Sequence, residues 1–371
     1  MNVFLAYEHR PLCFREPSDL LCCRDPARLP ACFRQLERWL DQGYYAAGFL
    51  SYEAGYFFEK RLRQNSSREF PLLCLGAYRR PGTEGFPPRA AGSYGLRDFR
   101  VNVPYPRYAR HIERIRRYIS RGDVYQITYC LKNAFRFRGD PRRLFLDLYR
   151  YQRVPYPAFI EAEDFCILSL SPERFIRKRG EAALAEPMKG TWPRGRNRAE
   201  DRRRRRRFSR DPKNRAENVM IADLLRNDLG RIGRDIRAPR LFTVAPYRTL
   251  FQMTSTVTGR VPGNVGMFEL FAALFPSGSV TGAPKIRAME IIREIEPEER
   301  RIHTGAIGYI TPGRDLYFNV PIRTLLLRGG DGEMGVGGGI VWDSTARGEW
   351  EEGRLKSRFL LEIARAGGCR A

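Results

Sequence analysis

Residues 303–342 read HTGAIGYITPGRDLYFNVPIRTLLLRGGDGEMGVGGGIVW. Three apolar runs, at 303–310, 317–327 and 333–342, are separated by short glycine-containing segments. Runs of this kind between Gly-containing turns predict strands paired as antiparallel hairpins. Working outward, 165–170 reads as another strand, while 212–229, 284–296 and 348–366 carry the periodicity of helices. Hairpins interspersed with helices, without an internal repeat, predict an α+β fold with antiparallel sheet rather than a parallel α/β fold.

Further upstream, Phe33, Leu36, Trp39 and Leu40 recur at helical spacing, and 45–52 follows as a strand. A Pro/Gly-rich stretch at 80–95 reads as a long loop and divides an N-terminal region, 1–95, from the rest, 96–371. Beyond it come a helix at 108–119, a turn at Arg121-Gly122-Asp123 and a strand at 124–130.

Composition excludes several classes of protein. With 371 residues and 43% hydrophobic content the chain can bury one large core or two merged ones. No apolar run approaches the roughly 20 residues needed to span a bilayer. Residues 1–11 carry Glu8, His9 and Arg10 and do not form a secretory signal, so the expectation is a cytoplasmic protein. Eight cysteines without a CxxC pair predict idle or buried thiols, and three histidines cannot build a histidine-rich metal cluster. The net charge of +24 argues for nucleic acid, but the excess is arginine spread along the chain. Its one dense run, Arg202 to Arg207, reads as a solvated helix face, and no helix-turn-helix, RNP or zinc-finger pattern accompanies it.

Four constellations carry chemistry. On the helix at 212–229, Glu217 shares a face with Ile221 and Leu224, and a carboxylate beside an apolar stripe needs a partner. Near the C-terminal end, Glu349, Glu352 and Lys356 align at i, i+3 and i+7. Two helical glutamates without histidine or cysteine suit a hard, partly hydrated cation such as Mg²⁺, although spacing alone is as well served by surface ion pairs. Ser277 to Lys285 and Gly335 to Gly339 are glycine-rich turns whose backbone N–H groups can hold an anion, or simply tight turns. Lys189, in PMKGT at 187–191, has small and apolar neighbours that favour a neutral, nucleophilic amine. Arg323, on the predicted strand 317–327, suits a substrate carboxylate or a structural salt bridge.

Together these motifs resemble the chorismate-utilising enzymes, the family of anthranilate, isochorismate, salicylate and aminodeoxychorismate synthases. The resemblance rests on Tyr125-Gln126, Ser171-Pro172-Glu173, PMKGT at 187–191, AENVMIADLLRNDLGRI at 216–232, QMTSTVTG at 252–259, PSGSVTGAPKIRAMEII at 276–292, GAIGYI at 305–310, IRT at 322–324 and GGGIVWDS at 337–344. It implies two packed antiparallel β-sheets flanked by helices, in the manner of anthranilate synthase component I. It implies Mg²⁺ ligands at Glu217 and Glu352. Chorismate contacts fall on Gln126, Gly190, Thr191, Thr281, His303, Arg323, Gly337, Gly338, Gly339 and Lys356. Gln126, where water-adding members carry a lysine, looks like the amine-adding branch. Lys189, where anthranilate synthases carry alanine, looks like the branch forming 4-amino-4-deoxychorismate, the precursor of p-aminobenzoate and folate. In that branch the lysine attacks substrate, the residue matching Glu173 is an acid/base, and ammonia comes from a glutamine amidotransferase partner. Three positions depart from the pattern: His303 stands where an aromatic is usual, Gln252 where many relatives have histidine, and Pro321 inside a predicted strand.

Overall fold

The computed structural model describes residues 1–63, 68–246 and 250–367, with backbone alone at 366 and 367. The strands are β1 (Asn2–Tyr7), β2 (Arg10–Phe14), β3 (Asp19–Cys23), β4 (Tyr45–Leu50), β5 (Leu73–Tyr78), β6 (Tyr94–Val101), β7 (Gln126–Gly139), β8 (Tyr156–Glu161), β9 (Cys166–Ser171) and β10 (Arg174–Arg179). They continue with β11 (Ala182–Glu186), β12 (Met188–Pro193), β13 (Arg234–Pro246), β14 (Leu250–Arg260), β15 (Gly282–Ala283), β16 (Ala306–Ile310), β17 (Leu316–Asn319), β18 (Thr324–Arg328) and β19 (Asp331–Ile340). Among the described residues they form two antiparallel sheets. One runs β15-β7-β19-β18-β9-β8-β1-β2, with β6 also on β7. The other runs β12-β14-β11-β10-β17-β16-β4-β5-β3, with β13 also on β14.

Alternation along the strands explains why two sheets pack and helices cover them. Val3, Leu5 and Tyr7 of β1, Ala158 and Ile160 of β8, and Ala47 and Phe49 of β4 share one apolar cluster drawn from both sheets. The residues between them, such as Phe4, Phe159, Ala46 and Leu50, belong to a second cluster shared with helices. Each central strand is thus buried on both faces, its odd and even positions serving different layers.

The helices are α1 (Leu29–Asp41), α2 (Gly55–Phe58), α3 (Tyr105–Ser120), α4 (Pro141–Tyr151), α5 (Arg198–Ser209), α6 (Pro212–Gly230), α7 (Met267–Leu274), α8 (Lys285–Ile295) and α9 (Ala346–Gly367). In α1 the predicted stripe Phe33, Leu36, Trp39 and Leu40 is buried. The side chain of Asp211 caps α6 by accepting from Asn214 N, and Pro212 occupies the first turn. In α5, Asn197 is the cap and Phe208 the buried residue, so the arginine run is a solvated face as predicted. Among the described residues no helix is long and apolar enough to cross a membrane. The N-terminal region serves both sheets: β1 pairs with β8 in one, β4 with β16 in the other.

Two expectations require correction. The run 317–327 is not one strand. Its first half, β17, lies in one sheet and its second half, β18, in the other. Pro321 lies in the crossover, where a missing N–H costs no ladder bond, and Arg323 turns the chain at φ +52°. The cysteines are not all thiols either, because Cys22 and Cys74 are joined in a disulfide. They are opposed residues of β3 and β5. Pairing register, invisible to a count of cysteines, brings them together.

Candidate active site

Lys189 enters the interior because β12 carries a bulge. Lys189 faces Met253 of β14, yet Thr191 faces Gln252, so one residue of β12 is unmatched. That residue is Gly190, at φ +82°, and a side chain there would strike Asn214 of α6. The bulge leaves Lys189 buried while Thr191 is exposed. Among the described residues the Lys189 amine makes no hydrogen bond or ion pair. Burial pushes its pKa below the ordinary lysine value, although Glu217 and Glu173 pull it back up.

Above the amine stands the strand pair β7–β19. Gly337, Gly338 and Gly339 lie opposite Cys130, Tyr129 and Thr128 in uninterrupted register. They therefore lie in the strand read at 333–342, and not in a separate glycine turn. Their lack of side chains makes room for what surrounds them. A Cβ on Gly339 would clash with Gln126 Nε2 and come 3.2 Å from Lys189 Nζ. One on Gly338 would come 2.9 Å from Glu349 Oε2. Gln126 is wholly buried and neither its Nε2 nor its Oε1 has a hydrogen-bond partner. Buried amides without partners cost several kcal/mol on apolar transfer scales, about 2–7 for such a group, so Gln126 is built to meet a polar ligand.

The carboxylates come from two helices. Glu217 of α6 is half-buried, accepts no hydrogen bond among the described residues, and has its pKa raised by burial. Glu352 of α9 is held low by Lys356, whose Nζ lies 2.8 Å from Glu352 Oε1 and 2.8 Å from the carbonyl of Gly337. Glu349 takes a 2.7 Å hydrogen bond from Ser344 and is pushed up by burial and by Glu352. Among the described residues no group of three or more His, Cys, Asp or Glu side chains is gathered as a metal cage. Glu217 and Glu352, close enough for one to shift the other's ionisation, nevertheless fit Mg²⁺. That ion keeps several waters and is commonly held by one or two carboxylates plus substrate oxygens.

Glu173, just before β10, is a buried acid. Ser279 donates to its Oε1, and the Met188 N–H donates to the same oxygen at 3.4 Å. Burial raises its pKa to about 7, despite those bonds and Lys189. Burial thus moves the Lys189 and Glu173 pKa values in opposite directions, and both movements favour the uncharged form.

The remaining predicted residues are placed less centrally. Thr281 spends its hydroxyl on the carbonyls of Ser277 and Gly278, and its own carbonyl accepts from Thr128 N. The loop expected to offer free amides instead pairs with β7 through β15, and α8 begins at Lys285, after Pro284. His303 packs on Gly335, beside Cys130 and Arg300, and burial followed by Arg300 drops its pKa to about 3, so it is neutral. Arg323 is half-buried in the crossover, and its carbonyl accepts from Leu170 N, one residue before Ser171-Pro172-Glu173. Two groups escaped the sequence reading. Lys213, one turn before Glu217, acts electrostatically on Glu217, Glu349 and Glu352. Ser279 holds Glu173. An i, i+4 check from Glu217 finds Lys213; no sequence signal connects Ser279 to residue 173.

Residues 84–362 match the family model described as chorismate binding enzyme. The aminodeoxychorismate synthase component 1 of Klebsiella aerogenes is 40% identical over 256 residues, 68% of this chain and 57% of that protein. The anthranilate synthase component 1 of Aquifex aeolicus is 32% identical over 269 residues, 72% of this chain and 54% of that one. The chain spans a little over half the length of these relatives. The crystal structure of anthranilate synthase component I from Streptococcus pneumoniae shares the fold, with a TM-score of 0.78 at 23% identity over 96% of this chain and 89% of that one.

Proposed function

The chain belongs to the chorismate binding enzyme family, and from that premise we propose that it converts chorismate and ammonia to 4-amino-4-deoxychorismate in the cytosol. The observation that carries this reading is a buried lysine whose amine makes no hydrogen bond or ion pair among the described residues, near the unpartnered amide of Gln126 and a carboxyl whose pKa is raised to about 7. A glutamine amidotransferase subunit would supply the ammonia.

The neutral Lys189 amine attacks chorismate C2. The ring double bonds shift, the C4–O bond breaks, and Glu173 gives the departing hydroxyl its proton, so that water leaves. Glu173, now a carboxylate, takes the proton released by the new C–N bond. Ammonia then adds at C4, the double bonds return, and Lys189 departs with a proton from Glu173. Gln126 has both a donor and an acceptor free to orient the ring substituents. Lys356 and Arg323 supply positive charge for the two carboxylates. A magnesium ion held by Glu217 and Glu352 would supply further neutralisation of substrate charge.

Chorismate, magnesium chloride and ammonium chloride with the purified chain should yield 4-amino-4-deoxychorismate without pyruvate, read by absorbance and mass. Anthranilate accompanied by pyruvate would place the chain in the other branch.

A further inference from the structure

Glu173 lies where the chain leaves one sheet for the other, between β9 and β10. Its backbone is fastened at both ends: its N–H donates to Ser171 Oγ at 3.2 Å, and its carbonyl accepts from Val320 N at 3.0 Å. Its side chain meets the 3₁₀ turn Gly278–Val280, which is fastened as firmly. Arg300 Nη1 donates to the Val280 carbonyl at 2.8 Å, and a side chain on Gly278 would strike Leu224 of α6. Two hydroxyls at this turn, those of Ser277 and Ser279, are 2.9 Å apart, and each residue is 3% exposed. Ser279 also bonds to Glu173 Oε1.

The direction of these hydrogens follows from the acceptors present. Each hydroxyl carries one hydrogen, and a buried hydrogen without an acceptor is costly. With Ser277 donating to Ser279 and Ser279 to Oε1, both hydrogens are used. In the opposite direction, from a proton on Oε1 to Ser279 and on to Ser277, the Ser277 hydrogen has no acceptor among the described residues. The Met188 N–H, 3.4 Å from Oε1, adds a second donor to the same oxygen. Oε1 is therefore the accepting oxygen, and Oε2 makes no hydrogen bond among the described residues.

We propose that Ser277 and Ser279 form a one-way hydroxyl chain that fixes the transferable proton of Glu173 on Oε2, so that Oε2 protonates the departing hydroxyl, an inference that rests on the amination of chorismate proposed above. The Oε2–H bond breaks as water leaves, and Oε2 then takes the proton released by the new C–N bond. Ser279 donates to Oε1 throughout, so the carboxylate is hydrogen-bonded as it forms and no side chain has to turn. Donation from Ser277 polarises Ser279 and strengthens its bond to Oε1. Both serines are positioning residues. Among the described residues, the charged side chain acting on Glu173 is Lys189 of β12, while its other polar neighbours, Ser279 and the Met188 N–H, are neutral.

The direction of the chain sets the sign of a measurable shift. A donor to Oε1 favours the carboxylate, so its removal raises the pH at which Glu173 ionises. An acceptor for a proton on Oε1 would favour the acid, and its removal would lower that pH. Infrared difference titration of the full chain without substrate, wild type minus Glu173→Gln, should place the carboxyl midpoint at about 7. Ser279→Ala should raise it by about one pH unit, the equivalent of one hydrogen bond to a charged group. Ser277→Ala should raise it less, and Ser279→Thr, which keeps the hydroxyl, should leave it in place. The alkaline limb of the attack on chorismate should move with the midpoint. A midpoint unmoved or lowered in Ser279→Ala, with thermal unfolding unchanged, overturns the proposal even if chorismate is aminated. If Ser279→Ala unfolds, the Ser277→Ala midpoint decides by the same sign. A raised midpoint in a protein that forms no aminated product sinks the chemical reading instead, and the part given to Oε2 with it.

Discussion

Glu173 and Lys189 share the buried interior, and with one proton between them they have two arrangements: an ion pair or two neutral groups. Burial lowers the Lys189 pKa and raises that of Glu173 to about 7, and both shifts favour the neutral pair, the combination that the proposed attack on chorismate requires. An unperturbed lysine, with a pKa of about 10.4, offers under roughly one part in a thousand of free amine near pH 7. The predicted pH dependence follows from the directions. Attack on chorismate in the absence of ammonia should be slow at low pH, where Lys189 is protonated. It should decline again above about pH 7, where Glu173 ionises. Glu173→Gln should lose the alkaline decline and slow the reaction by about 10²–10⁴-fold, the usual contribution of a positioned acid. Stopped-flow traces from pH 5 to 9 check this; an alkaline limb that survives in the variant contradicts it. At this scale the sequence was informative where chemistry is local. PMKGT named Lys189, and the helical spacing of Glu349, Glu352 and Lys356 placed them on one face. It was silent on Ser279, which meets Glu173 only through tertiary packing.

Elements that look alike in composition take different structures when neighbours decide. Gly337 to Gly339 fell within the strand read at 333–342 and also within a glycine-rich turn, because glycine weakens strands. They form the end of β19, since the space a side chain would fill holds Gln126, Lys189 and Glu349. Gly339→Ala should therefore cost about 1–3 kcal/mol of stability through overpacking and also displace Gln126. Chemical denaturation together with chorismate titration measures both effects, and a variant that binds normally would return these glycines to a permissive turn. The run 317–327 read as one strand because its apolar character never lapses. It feeds both sheets, and the single sign of the break was Pro321. Helices α1, α6 and α9 were legible, since their apolar stripes, and the Asp211 cap of α6, are local properties.

The antiparallel, helix-flanked architecture follows from the hairpin pattern, while the partition of strands between two sheets depends on long-range pairing that no window of sequence contains. Charge, too, acts at this scale. The arginines at 202–207 line a solvated helix distant in sequence from every site residue but those of β12 and α6. Changing Arg202 and Arg203 to Ser should leave turnover of chorismate within about twofold, as expected of surface charges worth little individually. Tight nucleic-acid binding at physiological salt, lost in that variant, would instead reveal a second class of partner. On the proposal that a partner subunit supplies the ammonia, the purified chain should release no glutamate from glutamine; such release, measured by coupled assay, would remove the need for an amidotransferase subunit.

The central claim is that Lys189 bonds to the substrate. Wild-type protein incubated with chorismate and magnesium, without ammonia, then digested and analysed by mass spectrometry, should carry chorismate less one water on the peptide containing Lys189. Lys189→Ala should carry none and should lose most amination at low ammonia. An unmodified peptide under trapping conditions, with Lys189→Ala aminating at the wild-type rate, would contradict the account.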